Sequence, residues 1–466
     1  MPEPKIQPPS SKAPSRPAAR PTHRNTLSSA EDRSKPKTSP PRRGSPRIGA
    51  TSVSEIDTMI SDLLRRCIAT PSISGNEQPL AKLVADQASS WGFEVDLFET
   101  DEARLANYPA AMGRHLPLVG RPTVVITLKG GAPGKTVLFN AHSDVVAVGD
   151  EHRWRHGPWS GAVEDGLMYG RGACDAKGPL AAGLGAMLKI RQLRGHDFAG
   201  TVALELIPGE ENCVDLGTLT SVARGYRADA AIILEPTESL PRCAARSGLR
   251  FEISVNGRAV HGTVKWLGID AIRGLRHVLG TLDEMESQFS QIEKDERYVD
   301  YPVLRPITVD QISGGGWQGM ICDKALCAGY FELCPEDDLD TWQERFISEL
   351  TARLVAQGYP GDCIDVQFPE RYRGFFTPTD ASVCRAAEKV IRYSSAAERW
   401  KKWRGFNSGC EGGLRSALHR TQTLVWGPGS LEQAHRIDEF VPLQHVADCS
   451  GAMAAAVLAY LDNEEA

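Results

Sequence analysis

Five side chains with metal-binding chemistry follow short apolar runs in this sequence. They are two imidazoles and three carboxylates: His142, Asp175, Glu211, Glu235 and His435. Imidazole nitrogens and carboxylate oxygens are ligands that suit zinc and related divalent ions. Five such ligands are enough for two ions that share one bridging carboxylate, and paired ions in hydrolases lie ~3.5–4 Å apart. The set therefore predicts a two-metal hydrolase, and we favour cleavage of an amide bond.

A pair of adjacent carboxylates, Glu210 and Glu211, follows Pro208 and Gly209 in a predicted turn. In such a turn one carboxylate can bind a metal ion while the other holds the attacking water and moves its proton. Taken alone, the pair is more typical of a solvated turn. The other four candidate ligands make a catalytic role the better interpretation.

Two more polar residues have weaker support from the sequence. Asp144 lies two residues after His142, so its carboxylate could orient the imidazole of a metal ligand, although a surface aspartate fits equally well. His261 follows the first strand of a predicted inserted domain, where direct metal binding is not expected. The chain has no nucleophile elbow and no Walker A loop, and Gly170-Arg-Gly172 lacks the third glycine of a dinucleotide-binding loop.

The charge of the chain is unevenly distributed. Residues 1–50 contain 11 Lys/Arg and 3 Asp/Glu, which leaves 42 basic and 56 acidic residues for the remainder. We expect residues 1–51, which are rich in proline and serine, to be a disordered basic tail. The acidic remainder argues against a nucleic-acid partner. Eleven cysteines without regular spacing, no long apolar run and no signal-peptide pattern predict a cytoplasmic protein that does not bind a membrane.

The order of predicted elements indicates an α/β catalytic domain with a mixed, mostly parallel sheet. Its early elements are strands at Phe93–Phe98, Thr123–Leu128 and Thr136–Asn140, a helix at Gly178–Leu193, and strands at Thr201–Ile207 and Ala230–Leu234. Four of the five candidate ligands, all except Asp175, lie beyond the carboxyl ends of predicted strands, where sites in α/β sheets form. We expect this domain to comprise residues 52–245 and 370–466.

The pattern changes between residues 246 and 369. Strand, helix, two strands, helix and strand follow one another, and this βαββαβ order is that of a ferredoxin-like unit. The predicted elements are Arg250–Val255, Ile269–Met285, Ile307–Ser313, Leu326–Leu333, Asp338–Gln357 and Cys363–Phe368. We therefore predict an inserted domain at 246–369.

The motifs around these residues resemble a known enzyme family over about residues 52–466. The motifs are Ala-His142-Ser-Asp144-Val-Val, Gly-Arg-Gly-Ala-Cys-Asp175-Ala-Lys-Gly, Glu210-Glu211, Glu235-Pro-Thr and Gly-Pro-Gly-Ser-Leu-Glu-Gln-Ala-His435. They are similar to those of the co-catalytic zinc amidohydrolases and peptidases, the family of acetylornithine deacetylase, succinyl-diaminopimelate desuccinylase, aminoacylase and glutamate carboxypeptidase. The last motif looks most like acetylornithine deacetylases. The resemblance implies a zinc-exopeptidase-like fold and an inserted dimerisation or lid domain.

The resemblance also implies roles for single residues. Asp175 would bridge two divalent ions, zinc or else cobalt or manganese, and a cis peptide would follow it. His142 and Glu235 would complete one metal site, and Glu211 and His435 the other. Glu210 would be the general base, and Asp144 would orient His142. His261 would reach the active site of the partner subunit in a homodimer and stabilise the oxyanion.

The sequence departs from the family at the residue that reads the substrate carboxylate. Relatives carry an arginine in the third strand of the inserted domain, where this chain has Glu332. Arg246, Arg250 or Arg258 could substitute for it, or the substrate could differ. We predict a metal-dependent hydrolase of an N-acyl amino acid. A metallo-dipeptidase or carboxypeptidase with the same metal centre is the alternative enzyme, and a non-catalytic metal-binding protein is the alternative of another class.

Overall fold

The computed structural model describes residues 53–105, 119–212 and 216–462. The segment 1–51, predicted to be a disordered tail, lies outside the described residues. In chain order, the first described elements are α1 (Val53–Ile68), α2 (Gln78–Ser90), β1 (Glu94–Phe98), α3 (Glu102–Leu105), β2 (Thr123–Lys129), β3 (Ala132–His142), β4 (Val163–Glu164), β5 (Leu167–Tyr169), α4 (Lys177–Arg194), β6 (Ala199–Ile207), α5 (Leu216–Arg224), β7 (Ala230–Ile233) and β8 (Ala244–Ala245).

The middle of the chain has the predicted βαββαβ order. Its elements are β9 (Ser247–Asn256), α6 (Ala271–Phe289), β10 (Ile307–Gly314), β11 (Lys324–Leu333), α7 (Leu339–Ala356) and β12 (Ile364–Tyr372). The chain then continues through β13 (Phe375–Phe376), α8 (Ser382–Ile391), β14 (Gly405–Phe406), α9 (Gly412–His419), β15 (Gln422–Val425), β16 (Phe440–Pro442) and α10 (Leu443–Leu461). The predicted fold class is confirmed.

The larger sheet is mixed and mostly parallel, in the order β1–β2–β6–β3–β7–β15. β6, β3, β7 and β15 run parallel to one another, whereas β2 pairs antiparallel with both β1 and β6. All four residues of β7 are buried, as expected for a strand covered on both faces. The carboxyl ends of the parallel strands therefore meet at one edge of this sheet.

Helix α4 holds the loop before it close to that edge. Most of its residues are buried, and the helix packs against α1, α10 and the larger sheet. At Gly183 a Cβ atom would lie 2.5 Å from Leu234 Cδ1, so glycine permits the close approach of α4 to the end of β7. The approach brings the residue that follows Leu234, Glu235, towards the amino end of α4.

The smaller sheet has the antiparallel order β10–β11–β9–β12 and its own hydrophobic core. Alternate residues of β9, from Leu249 to Val255, are buried among apolar side chains of α6 and α7. Gly248 and Arg250 belong to the other face of β9. A separate hydrophobic core is consistent with an inserted domain. The exact boundaries of that domain, 246 and 369, stay a prediction.

Several elements were not predicted from the sequence. They are helices α3, α5 and α9 and the short strands β4, β5, β8, β13, β14 and β16. Strands of two or three residues are too short for an alternating pattern to be recognised. None of the helices in the described ranges combines the length and the apolar character that crossing a bilayer requires.

Candidate metal centre

The parallel strands bring predicted ligands from three parts of the chain to one edge of the larger sheet. His142 is the last residue of β3, and Glu235 comes two residues after β7. Glu210 and Glu211 lie in the turn that follows β6. Since β6, β3 and β7 are neighbours in the sheet, their terminal side chains converge.

The carboxylate of Asp175 lies between two groups of predicted ligands. Its Oδ1 is 3.0 Å from His142 Nε2, which is 3.8 Å from Glu235 Oε1. Its Oδ2 is 3.4 Å from His435 Nε2, which is 3.0 Å from Glu211 Oε2. Ligand atoms of His142, Asp175 and Glu211 all lie within 4.8 Å of one another. Each oxygen of Asp175 therefore faces one imidazole and is near one further carboxylate.

Glu439 fixes the loop that carries Asp175. Its buried carboxylate accepts hydrogen bonds from the backbone N–H groups of Cys174 (2.8 Å) and Asp175 (3.0 Å), and from Arg171 Nη1 (2.5 Å). The peptide bond between Asp175 and Ala176 is cis, as the resemblance implies. The role of Glu439 was not predicted. The available signal was its position four residues after His435, within the same polar segment.

Asp144 holds the turn that contains Glu210 and Glu211. Its carboxylate accepts hydrogen bonds from the backbone N–H groups of Gly209 (2.9 Å), Glu210 (3.1 Å) and Glu211 (3.1 Å). His142 Nδ1 lies 3.0 Å from the carbonyl oxygen of Asp144 and 3.7 Å from its carboxylate. The predicted contact with His142 is thus made mainly through the Asp144 backbone, and the carboxylate positions the turn.

Charge is concentrated in this cluster. Burial raises the pKa of Glu210, Glu211 and Glu235, and neighbouring carboxylates raise it further. Hydrogen bonds to Asp175 and Glu211 raise the pKa of His435 to about 11. Burial alone would lower the pKa of His142, but its contacts with Asp144 and Asp175 raise it well above the usual value. These groups therefore favour nearby positive charge, and two imidazoles with three carboxylates fit a pair of divalent ions.

A cavity of about 340 Å³ opens onto this cluster and has two walls. One wall, here called the ligand wall, consists of Asp175, Glu210, Glu211, Glu235 and His435. The opposite wall, here called the strand wall, comes from the smaller sheet and consists of Asp310, Tyr330, Glu332, Glu370 and Tyr372. A substrate that fills this cavity therefore contacts residues of both walls. Tyr372 was not predicted, because its position depends on strand pairing.

The structure does not bring the three predicted arginines into the cavity lining. Arg246 is buried and donates to Asn407 Oδ1 and to the carbonyl oxygen of Leu304. Arg250 is paired with Asp310 at 2.8 Å. The exposed Arg258 donates to the carbonyl oxygen of Leu267 at 2.7 Å. Each guanidinium group is bonded to other groups of the described chain, and the replacement of the family arginine by one of them stays a prediction.

Of two further predicted residues, Glu332 lines the cavity and His261 does not. Glu332 is part of the strand wall. His261 is exposed, its Nδ1 accepts a hydrogen bond from the backbone N–H of Thr263, and it does not line the cavity. Another arginine, Arg371, does line the cavity and forms an ion pair with Asp340 at 2.5 Å.

Comparison with known proteins gives a consistent family. The model of peptidase family M20/M25/M40 matches residues 138–459. The acetylornithine deacetylase of Proteus mirabilis is 26% identical over 393 residues, which is 83% of this chain and 92% of that protein. The succinyl-diaminopimelate desuccinylase of Methylorubrum extorquens is 31% identical over 343 residues, covering 70% and 81%.

Solved structures share the fold at low sequence identity. The di-peptidase Dug1p from Saccharomyces cerevisiae superposes with a TM-score of 0.67 at 16% identity, covering 90% of this chain and 100% of its own. Human carnosine dipeptidase 1 gives a TM-score of 0.65 at 16% identity, covering 88% and 97%. These likenesses support the arrangement of a catalytic sheet with a second, smaller sheet.

Proposed function

We propose, from the premise that the chain belongs to peptidase family M20/M25/M40, that this metal-dependent amidohydrolase cleaves the amide bond of an N-acyl amino acid. One observation carries the proposal. The two carboxylate oxygens of Asp175 face two separate ligand groups, and Glu210 lines the same cavity. This is the arrangement that a bridged pair of ions and a neighbouring general base require.

The residues that would hold the two ions follow from the distances. His142 and Glu235 would hold one ion together with Asp175, and Glu211 and His435 would hold the other together with Asp175. We propose zinc, with cobalt or manganese as alternatives. When bound, such ions lower the pKa of water and polarise a carbonyl group.

Glu210 supplies the proton transfers of the proposed reaction. Its carboxylate takes a proton from the attacking water as a bond forms between the water oxygen and the amide carbon. The carbon–nitrogen bond then breaks, and the same proton passes to the leaving amine. The second proton of the water also passes to the amine, so the products are a carboxylate from the acyl group and a protonated amine. The three N–H groups that bind Asp144 keep the turn with Glu210 in place.

We further propose that the protein forms a homodimer through residues 246–369 and that His261 acts in the partner's cavity. His261 pairs with Met320, and the neighbouring Gly262 donates to the carbonyl oxygen of Gly319. Exposed aromatic side chains lie close to these contacts in the sequence: Trp266, which follows Gly262, is 74% exposed, and Trp317, which precedes Gly319, is 80% exposed. Exposed aromatic side chains beside a polar residue are typical of protein interfaces.

We also propose a cytoplasmic location. The ten described cysteines are free and buried, as in proteins of reducing compartments.

The experiment that tests the function is a hydrolysis assay of the metal-loaded protein. The panel comprises N-acetyl amino acids, N-succinyl amino acids and dipeptides, and metal content is measured on the same samples. We expect release of free amine from at least one N-acyl amino acid. Cleavage of dipeptides alone would favour the dipeptidase alternative. Full metal content without any hydrolysis would favour a non-catalytic binding protein.

A further inference from the structure

One carboxylate oxygen of the strand wall has no partner. Glu332 lines the cavity opposite the ligand wall, and its Oε1 accepts a hydrogen bond from the hydroxyl group of Tyr372. Its other oxygen, Oε2, is buried and has no hydrogen-bond partner within the described part of the chain. Buried polar atoms are normally bonded, so an unpartnered oxygen in a cavity wall indicates a position for a ligand donor.

The pairing of Tyr372 with Glu332 depends on two glycines. In the smaller sheet, Gly248 of β9 lies between Glu332 of β11 and Tyr372 of β12. A Cβ atom at Gly248 would clash with the Tyr372 ring and hydroxyl group, and one at Gly409 would clash with another part of the same ring. The ring crosses β9 only because both positions lack a side chain. The backbone is thus adapted to this contact.

The two guanidinium groups near Glu332, those of Arg250 and Arg246, are bonded to other groups. Arg250 lies over the Tyr330 ring, 4.7 Å from its centroid, and is paired with Asp310. Arg246 directs its guanidinium group to Asn407 and the Leu304 carbonyl oxygen. Neither guanidinium group donates to Glu332, although the charge of Arg246 lowers the pKa of its carboxyl. The Glu332 carboxylate therefore keeps its capacity to attract a cationic group and to repel an anionic one.

We propose that Glu332 determines substrate specificity by binding an ammonium or guanidinium group on the part of the substrate remote from the scissile amide. Tyr372 is a positioning residue that holds Oε1, so that the unpartnered Oε2 keeps its hydrogen-bonding capacity for the substrate cation. The inference rests on the proposed function, because it concerns the same cavity. Burial raises the pKa of the Glu332 carboxyl to about 7, and a bound cation stabilises its charged form.

The test uses three substrates that differ at the end of the side chain. They are Nα-acetyl-lysine, the neutral Nα-acetyl-norleucine, which has the same four side-chain carbons without the terminal ammonium group, and the anionic Nα-acetyl-glutamate. For the metal-loaded full chain we expect kcat/KM for the lysine substrate to exceed that for norleucine by about tenfold or more. Glu332→Gln should reduce this ratio to within about threefold of unity, because the amide keeps the shape and loses the charge.

Matched variants separate specificity from general damage. Glu370→Gln removes a carboxylate from the same wall and should lower the ratio less than Glu332→Gln does. Tyr372→Phe keeps the packed ring and should lower the ratio through the position of Glu332. If Glu332→Gln does not fold, Tyr372→Phe carries the test. An equal preference in the wild type and in the folded Glu332 variant, or a wild-type preference for the glutamate substrate, would overturn the proposal.

A binding experiment distinguishes failure of this inference from failure of the proposed function. Metal-loaded Glu210→Gln protein is titrated calorimetrically with the lysine and norleucine compounds, with and without Glu332→Gln. Tighter binding of the lysine compound that depends on Glu332 supports the inference even if no amide is cleaved. Equal binding of both compounds overturns it, even if the wild type hydrolyses them.

Discussion

The two walls of the cavity both carry buried carboxylates, but they surround them differently. In the ligand wall, the two oxygens of Asp175 face two imidazoles, and Glu211 faces one of them. The Asp144 carboxylate, which does not line the cavity, accepts hydrogen bonds from three backbone N–H groups of the turn with Glu210 and Glu211. In the strand wall, Glu332 has the Tyr372 hydroxyl group on one oxygen and no partner on the other.

The difference shows how surroundings assign the same residue type to different tasks. Several carboxylates and imidazoles within a few ångströms supply the many ligand atoms that divalent ions need. A single carboxylate with one oxygen that lacks a hydrogen-bond partner, near arginines that are bonded to other groups, suits one organic cation. We therefore assign chemistry to the ligand wall and specificity to the strand wall.

The largest expected effect separates two adjacent residues of the ligand wall. Glu210→Gln should retain both metal ions but lose on the order of 10²–10⁴-fold in kcat, because the proton acceptor is removed. Glu211→Gln should instead lower metal content, because it removes a ligand beside His435. Activity assays and metal analysis of both variants measure the two effects. Near-normal turnover of metal-loaded Glu210→Gln would end the assignment of the general base.

The second prediction asks whether the ligand wall is complete within one subunit. His261→Ala and Glu210→Gln proteins should each be nearly inactive. Random exchange between them makes half of the dimers mixed, each with one intact pair of Glu210 and His261. Activity should therefore recover to about a quarter of the wild-type value. Exchange is verified with differently tagged chains, and exchange without recovery would contradict action of His261 across subunits.

The ligand wall was largely predictable from the sequence, and the strand wall was not. His142, Glu211 and Glu235 follow apolar strands directly, so local patterns and parallel pairing were sufficient to predict that they converge. The contact between Tyr372 and Glu332 depends on the register of three strands and on room above Gly248, which are non-local properties. The partners of Arg250 and Arg246 were not predictable for the same reason, because Asp310 and Asn407 lie 60 and 161 residues away.

The third prediction uses the ionisation of Glu332 to sharpen the contrast between the walls. Because its pKa is raised to about 7, the carboxyl is neutral below that pH and charged above it. The ratio of kcat/KM for Nα-acetyl-lysine to that for Nα-acetyl-norleucine should therefore rise with pH by up to about tenfold across pH 7. Titration of groups in the ligand wall changes kcat/KM for both substrates by the same factor, so this change cancels in the ratio.

The groups around Glu332 do not obscure this pH dependence. Tyr372 faces it from β12, and burial raises the pKa of that phenol well above its usual value. The same ratio measured for Glu332→Gln should be flat between about pH 6 and pH 8. A parallel rise in this variant would assign the pH dependence to another group.

The smallest expected effect concerns stability. The unfolded chain releases the Glu332 proton near the ordinary value of 4.5, and the folded chain releases it only near 7. Folding stability due to this group is therefore fully present below pH 4.5 and is lost as the pH rises to about 7. The loss is at most about 3 kcal/mol. Glutamine does not titrate, so Glu332→Gln should gain thermal stability relative to the wild type between pH 5 and pH 8.

Glu370→Gln serves as the control. The same gain in both variants would trace the effect to the net charge of the strand wall and not to the unpartnered oxygen of Glu332. A gain confined to Glu332→Gln, and abolished when Nα-acetyl-lysine is added, would show that the wild type loses stability at this position to keep a charge available for the substrate.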